Sequence, residues 1–177
     1  MIKLIYGPMR SGKSARLIEE IEKAKDKGLN IKCYKPKADT RSEYIKSRNG
    51  KLIECETVSS FISIYADVLE LKEKPDMMFI DEVQFLNLTG LTRLVKFALE
   101  NNIKIVASGL NLTSELCPFE TTAKYSMFCT EIEIVHGTCE ICNKEKSIFS
   151  KCNAKKDNEV LIGDEIYLQT CFKCFNI

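Results

Sequence analysis

The sequence predicts an α/β fold, a doubly wound and mostly parallel sheet followed by a small cysteine-rich C-terminal lobe. Three observations predict it. Short apolar strand patterns alternate with amphipathic helical ones, the order that builds parallel sheets through crossover helices. A glycine-bearing run, Gly7-Pro8-Met9-Arg10-Ser11-Gly12-Lys13-Ser14, lies between the first strand pattern and the first helix pattern. From Thr138 onward the character changes to paired cysteines, mixed charges and short strand-like pieces.

Each element has its own signal. Residues 3–6 form a short apolar run before Gly7 and read as a buried first strand. Residues 14–27 read as a helix, because Leu17, Ile18, Ile21 and Ala24 recur at helical spacing and Gly28 is placed to end it. Residues 29–34 alternate like a strand, and Pro36, which has no N–H, stops it. The polar stretch 37–50 reads as a flexible loop. A second helix is expected over 60–71, followed by a turn around Pro75. Met77-Met78-Phe79-Ile80 is a continuous apolar run ending at Asp81-Glu82, as in a strand covered on both faces. The next helix is expected over 91–100, with Leu91, Leu94, Val95 and Ala98 on one side, and further strands over 103–107 and 131–135. No internal repeat or low-complexity tract interrupts this order.

Composition bounds the function. The chain has 177 residues, 45% hydrophobic and 29% charged, enough for one packed domain and a small appendage. Its 26 basic and 25 acidic residues leave a formal charge of +1, which gives no electrostatic footprint for nucleic acid or an anionic membrane. No apolar run approaches the roughly 20 residues needed to span a bilayer. The first strand reaches Gly7 too soon for the N-terminus to read as a secretory leader. With no such leader expected, nine cysteines suit a reducing compartment, and a cytoplasmic location follows.

Three motifs carry the chemistry. Gly7-x4-Gly12-Lys13-Ser14 fits the Walker A pattern in the correct strand–loop–helix context. The glycines let backbone N–H groups close around phosphate oxygens, and the helix N-terminus adds positive potential. Lys13 would then reach the β and γ phosphates of ATP, and the Ser14 hydroxyl would bind Mg²⁺. The bland alternative is a glycine turn that happens to precede a lysine. Asp81 closes the apolar strand where a carboxylate would hold the same magnesium through water, and Glu82 beside it suits proton abstraction. A solvated turn is the competing reading of that acidic pair. Cys139-x2-Cys142 and Cys171-x2-Cys174 supply two thiolate pairs for one tetrahedral, closed and therefore structural Zn²⁺ site. That site would pin the ends of the long polar loop 143–170. Redox-active pairs or buried reduced thiols are the alternatives. Cys33, Cys55, Cys117, Cys129 and Cys152 read as core or loop cysteines, and His136 as a packing or surface histidine, since four cysteines already fill a zinc site. The lysines at 144, 146, 155 and 156 read as loop solvation.

These motifs in this order resemble the thymidine kinase family, which pairs a P-loop domain with a zinc-bearing lasso domain. The matching residues are Gly7 to Ser14, Asp39-Thr40-Arg41, Asp81-Glu82-Val83-Gln84-Phe85, Gly109-Leu110 with Pro118-Phe119, the four paired cysteines, and Tyr167. The resemblance implies a RecA-like P-loop kinase domain over 1–137 and a lasso domain over 138–177. It implies phosphoryl transfer from ATP to the 5′-hydroxyl of thymidine, in deoxynucleotide salvage. Glu82 takes the general base position, Asp81 the magnesium-linked carboxylate, and Arg41 an arginine near the phosphates; Asp39 and Gln84 fall among the ATP-binding positions. Met9 and Phe85 match residues lining the base pocket, while Tyr167 and the backbone from Asn158 to Ile162 match the loop covering the nucleoside. A homotetramer and inhibition by the end-product nucleoside triphosphate are further implications, as is ordering of the lasso loop on nucleoside binding. The sequence departs from the family on the nucleoside side: Ser114 replaces a base-stacking aromatic residue, Asn111 an aspartate, Val83 a small residue and Arg48 a histidine. Phe149 and Lys151 stand where Thr and Arg are usual, and Ile162-Gly163-Asp164 replaces a Gly-Gly turn. Two alternatives therefore stand beside thymidine phosphorylation: a kinase of another nucleoside, and a nucleotide-binding regulatory homologue without kinase activity.

Overall fold

The computed structural model of the chain describes residues 1–39, 44–46, 50–152 and 166–176. Six strands form the central sheet: β1 (Ile2–Gly7), β2 (Ile31–Pro36), β5 (Glu56–Val58), β6 (Met77–Ile80), β7 (Lys104–Leu110) and β8 (Glu131–Ile134). Their order is β5-β2-β6-β7-β1-β8, and every neighbouring pair is parallel.

Helices cover both faces, which is why central β6 is apolar at every position. Because side chains alternate across a strand, Met77 and Phe79 pack on one face with Leu17, Ile18 and Ile21 of α1 (Lys13–Asp26). Met78 and Ile80 pack on the other face, with α2 (Phe61–Glu70), α3 (Leu91–Glu100) and Tyr125 of α4 (Glu120–Ser126). At the edge, the buried Lys3 ammonium meets Glu131 at 2.7 Å and Glu133 at 2.8 Å, while Arg16 of α1 meets Glu133 at 2.6 Å. This cluster fastens β8 to β1 and α1.

The predicted doubly wound sheet is observed, with three local differences. The stretch expected as loop, 37–50, contains strand β3 (Tyr44–Lys46), paired antiparallel with β4 (Leu52–Glu54). Ile45 and Ile53 bury their side chains against the α1 layer, and a single buried residue between two exposed ones leaves little pattern to read. Strand β2 spans Ile31–Pro36 rather than 29–34, and it ends at Pro36 as expected. Strand β5 and helix α4 were not expected at all.

The C-terminal lobe pairs β9 (Phe149–Cys152) antiparallel with β10 (Tyr167–Thr170) and ends in α5 (Phe172–Phe175). Both strands lie in the long polar loop expected over 143–170, in the region where short strand-like pieces were also expected. Among the described residues, no helix is long and apolar enough to cross a membrane.

Candidate active site and metal centre

The ends of β1, β7 and β6 lie side by side, and the chemistry-bearing residues follow those ends. This is the position where parallel sheets open a crevice for ligands. Gly7 ends β1 where a Cβ would meet the Val135 carbonyl oxygen at 2.1 Å, so only glycine fits. Gly12 adopts φ 98°, the left-handed region that disfavours side chains, and caps the N-terminus of α1. The first turn of α1 holds no acidic residue, so its positive end is left for an external anion. The Lys13 ammonium is buried and donates to the Pro8 carbonyl at 2.7 Å.

Across the crevice, Asp81 follows β6. Its Oδ1 accepts the Ser14 hydroxyl at 3.3 Å and a closer bond from Ser108 of β7. Ser14 offers a hydroxyl and Asp81 a carboxylate 3.3 Å from it, oxygen donors of the kind magnesium takes directly or through its retained waters. Ser108 is a partner of Asp81 in the candidate site that sequence reasoning missed. Within β7 it reads as one polar position in a buried strand, and its role depends on β7 lying between β1 and β6.

Burial, and then the neighbouring Glu82 carboxylate, push Asp81 up to about 6. An unfolded aspartate titrates near about 3.9. Between those values the native chain holds more proton than the unfolded one, so this group lowers stability progressively as pH rises through the window and most above it. Asp81→Asn should therefore raise the thermal midpoint at pH 7 without magnesium. At about 1.4 kcal/mol per pK unit, the gain is on the order of a few kcal/mol. It should vanish near pH 4, where wild-type Asp81 is itself neutral. Thermal scans at the two pH values check this, and an equal shift at both would count against a buried charge.

Glu82 is half-buried at φ 50° and precedes a single 3₁₀ turn, Val83–Phe85. A left-handed glutamate is strained, and such strain persists where the surroundings hold it. Gln84 is the visible clamp: its amide N–H donates to the Glu82 carboxylate, and its oxygen accepts the Leu110 N–H at 3.0 Å. The remaining predicted positions are spread more widely. Asp39 pairs with buried Lys35 at 3.0 Å. Met9 is half-buried, Phe85 is exposed, and Ser114 is half-buried in the connection after β7. No described hydrogen bond or ring contact joins Phe85 or Ser114 to the 7–14 loop. Tyr167 begins β10, and its carbonyl accepts the Arg10 guanidinium at 2.8 Å. Arg41, Asn158 and Ile162 lie outside the described residues, as does Arg48.

The sulfur atoms of Cys139, Cys142, Cys171 and Cys174 all lie within 4.8 Å of one another. Zinc–sulfur bonds of about 2.3 Å in a tetrahedron place sulfurs about 3.8 Å apart, so the four thiols fit a closed zinc site after a small contraction. Burial opposes ionisation of Cys139, yet backbone N–H groups of Cys142, Cys171 and Ile141 outweigh it and bring that thiol down to about 6. Burial and the neighbouring thiols push Cys174 up to about 12. Four thiols so close compete for protons, and a divalent cation resolves that competition. His136 stays outside the cluster, with Nδ1 3.1 Å from the Ser147 carbonyl oxygen.

Comparison with known proteins places the chain in a family. Over residues 1–175 the chain matches the family model described as Thymidine kinase. A thymidine kinase of Pseudothermotoga lettingae is 30% identical over 179 residues, covering 99% of this chain and 94% of that protein. A thymidine kinase of Bacteroides thetaiotaomicron is 30% identical over 177 residues, covering 98% of this chain and 86% of that protein. With its crevice, its acidic strand end and its cysteine cluster arranged in one chain matched nearly end to end, the protein belongs to the thymidine kinase family.

Proposed function

We propose that this chain transfers the γ-phosphoryl group of ATP to the 5′-hydroxyl of thymidine. The observation that carries the reading is the Ser14–Asp81 contact, with Glu82 next along the chain, in a member of the thymidine kinase family. The triphosphate lies along the 7–14 loop, where the Lys13 ammonium exchanges the Pro8 carbonyl for phosphate oxygens. Ser14 and Asp81 would hold Mg²⁺, whose charge would offset that of the phosphates. Glu82 accepts the proton of the 5′-hydroxyl as its oxygen bonds to the γ phosphorus. The bond to the β,γ-bridging oxygen breaks, and ADP and the nucleoside monophosphate leave. Arg41 adds positive charge beside the transferring group.

Met9, Phe85, Ser114 and Tyr167, with Asn158 and Ile162, surround the nucleoside in this reading. Residues 1–137 act as the kinase domain and 138–177 as a zinc-stapled lasso domain, in a cytoplasmic homotetramer subject to feedback by a nucleoside triphosphate. ADP release with thymidine, deoxyuridine, deoxycytidine and deoxyadenosine at equal concentration tests the acceptor. Thymidine should give the highest kcat/KM. One observation favours a second acceptor: Ser114 supplies no ring to stack on a base, and stacking contributes about 1–3 kcal/mol in nucleic-acid sites. A higher kcat/KM for another nucleoside would replace thymidine while leaving the phosphate chemistry intact.

A further inference from the structure

Residues of the cysteine lobe grip the phosphate loop, and none of them belongs to the Walker A pattern. Ser150 of β9 accepts the Met9 N–H at 2.8 Å. Glu140, next in sequence to the zinc-fitting Cys139, pairs with the Arg10 guanidinium. Gln169 of β10 donates its side-chain N–H to the Arg10 carbonyl at 3.2 Å. On the lobe side the grip is itself fixed. The Gln169 N–H donates to Glu140 Oε2 at 2.6 Å, and the Glu140 N–H donates to the Gln169 carbonyl at 2.8 Å. The Ser147 hydroxyl donates to Gln169 Oε1 at 2.8 Å. Ser150 and Gln169 are buried, so their bonds to the loop are partly shielded from water, while the Arg10–Glu140 pair lies at the surface.

The grip acts where the loop is least able to hold itself. Arg10 sits at φ 60°, a left-handed conformation that costs a non-glycine residue roughly 1–2 kcal/mol. In a trans peptide the carbonyl and the following N–H point opposite ways. Gln169, by holding the Arg10 carbonyl on one side, turns the Ser11 N–H to the other. There the Ser11 N–H donates to the Pro8 carbonyl at 3.4 Å, the same oxygen that holds Lys13. The lobe thus orients two of the peptide groups that frame the Lys13 ammonium.

We propose that Glu140, Ser150 and Gln169 are positioning residues for the phosphate loop, so that zinc in the cysteine lobe and ATP in the loop bind with positive coupling. The proposal rests on the reading that the loop takes ATP. Coupling between two ligands is reciprocal, with typical factors of 5 to 150. Zinc transfer from the full chain to a zinc-selective chelator should slow at least about fivefold when magnesium–ATP saturates the loop. ATP would also slow that transfer merely by stabilising the whole fold, and two variants separate the effects. Glu140→Gln and Ser150→Ala should still bind ATP, with a several-fold higher Kd, and should lose most of the ATP-dependent slowing. Amide exchange in the 7–14 loop should rise in both variants. An unchanged zinc transfer rate in a wild-type chain that binds ATP would overturn the coupling and leave the kinase reading standing. Wild-type protein that binds no ATP would sink both. Variants that keep the full wild-type slowing would overturn the roles of these residues without needing any change in fold.

Discussion

Glu82→Gln is expected to lower kcat for nucleoside phosphorylation by about 10²- to 10⁴-fold while leaving ATP bound. The substitution keeps shape and volume and removes only the ability to accept a proton. The backbone at φ 50° is equally strained for both residues, and the Gln84 amide still finds an oxygen at position 82. Asp81, Ser14 and Lys13 are untouched, so the Kd for magnesium–ATP should change little. Removing the Glu82 charge also relieves the second cause that raises Asp81, which favours the ionised, magnesium-holding form. Steady-state ADP release at saturating ATP, set beside equilibrium ATP binding, separates the two effects. If turnover persists at wild-type rates, Glu82 is not the base. If ATP binding is lost with it, the residue is structural.

Much of this site was legible from local pattern, because its parts follow directly from strand ends. Met77–Ile80 is apolar at every position because helices cover both faces of β6, and its end marks Asp81 without any tertiary knowledge. Helix α3 was readable for the same kind of reason, with Leu91, Leu94, Val95 and Ala98 buried at helical spacing. Strand β5 offered no such signal. Glu56 and Thr57 are exposed, Val58 alone is buried, and the ladder that makes them a strand comes from β2. Helix α4 was hidden because it buries Thr121, Thr122 and Tyr125, so hydrophobic periodicity passes over it.

The contacts around the phosphate loop were illegible for a different reason. Arg10 and Glu140 lie 130 positions apart, Met9 and Ser150 lie 141 apart, and nothing in either segment names the other. Their meeting follows from β8 lying beside β1, which carries the chain from the sheet edge past Gly7 into the lobe. The requirement for glycine at position 7 has the same origin. The motif explains it by phosphate approach, whereas the structure adds the Val135 carbonyl on its other side.

Removal of zinc should unfold the cysteine lobe while the parallel sheet survives. The lobe lacks the means to hold itself. Among the described residues its buried apolar cluster consists of Cys139, Cys171 and Cys174 with Cys142 against them, so the thiols themselves form that core. The ring contacts of Phe149 with Phe172 and Phe175 add little, since Phe172 is largely exposed. A two-stranded sheet is marginal in water, and a four-residue helix cannot persist alone. Structural zinc contributes an apparent 10–16 kcal/mol, roughly, in isolated zinc-finger peptides, far more than these elements supply. Chelation, or Cys174→Ser, should therefore abolish amide protection across β9, β10 and α5, with slow exchange retained in β1, β6 and β7. Restoring zinc should recover the wild-type pattern and a stoichiometry of about one, and should not rescue the variant fully. If the cysteines were a redox pair or plain reduced thiols, a chelator would leave lobe protection unchanged and a reductant or oxidant would move it instead. Because Ser150 and Gln169 go with the lobe, the 7–14 loop should lose protection in the same step, although the sheet that carries it stays folded.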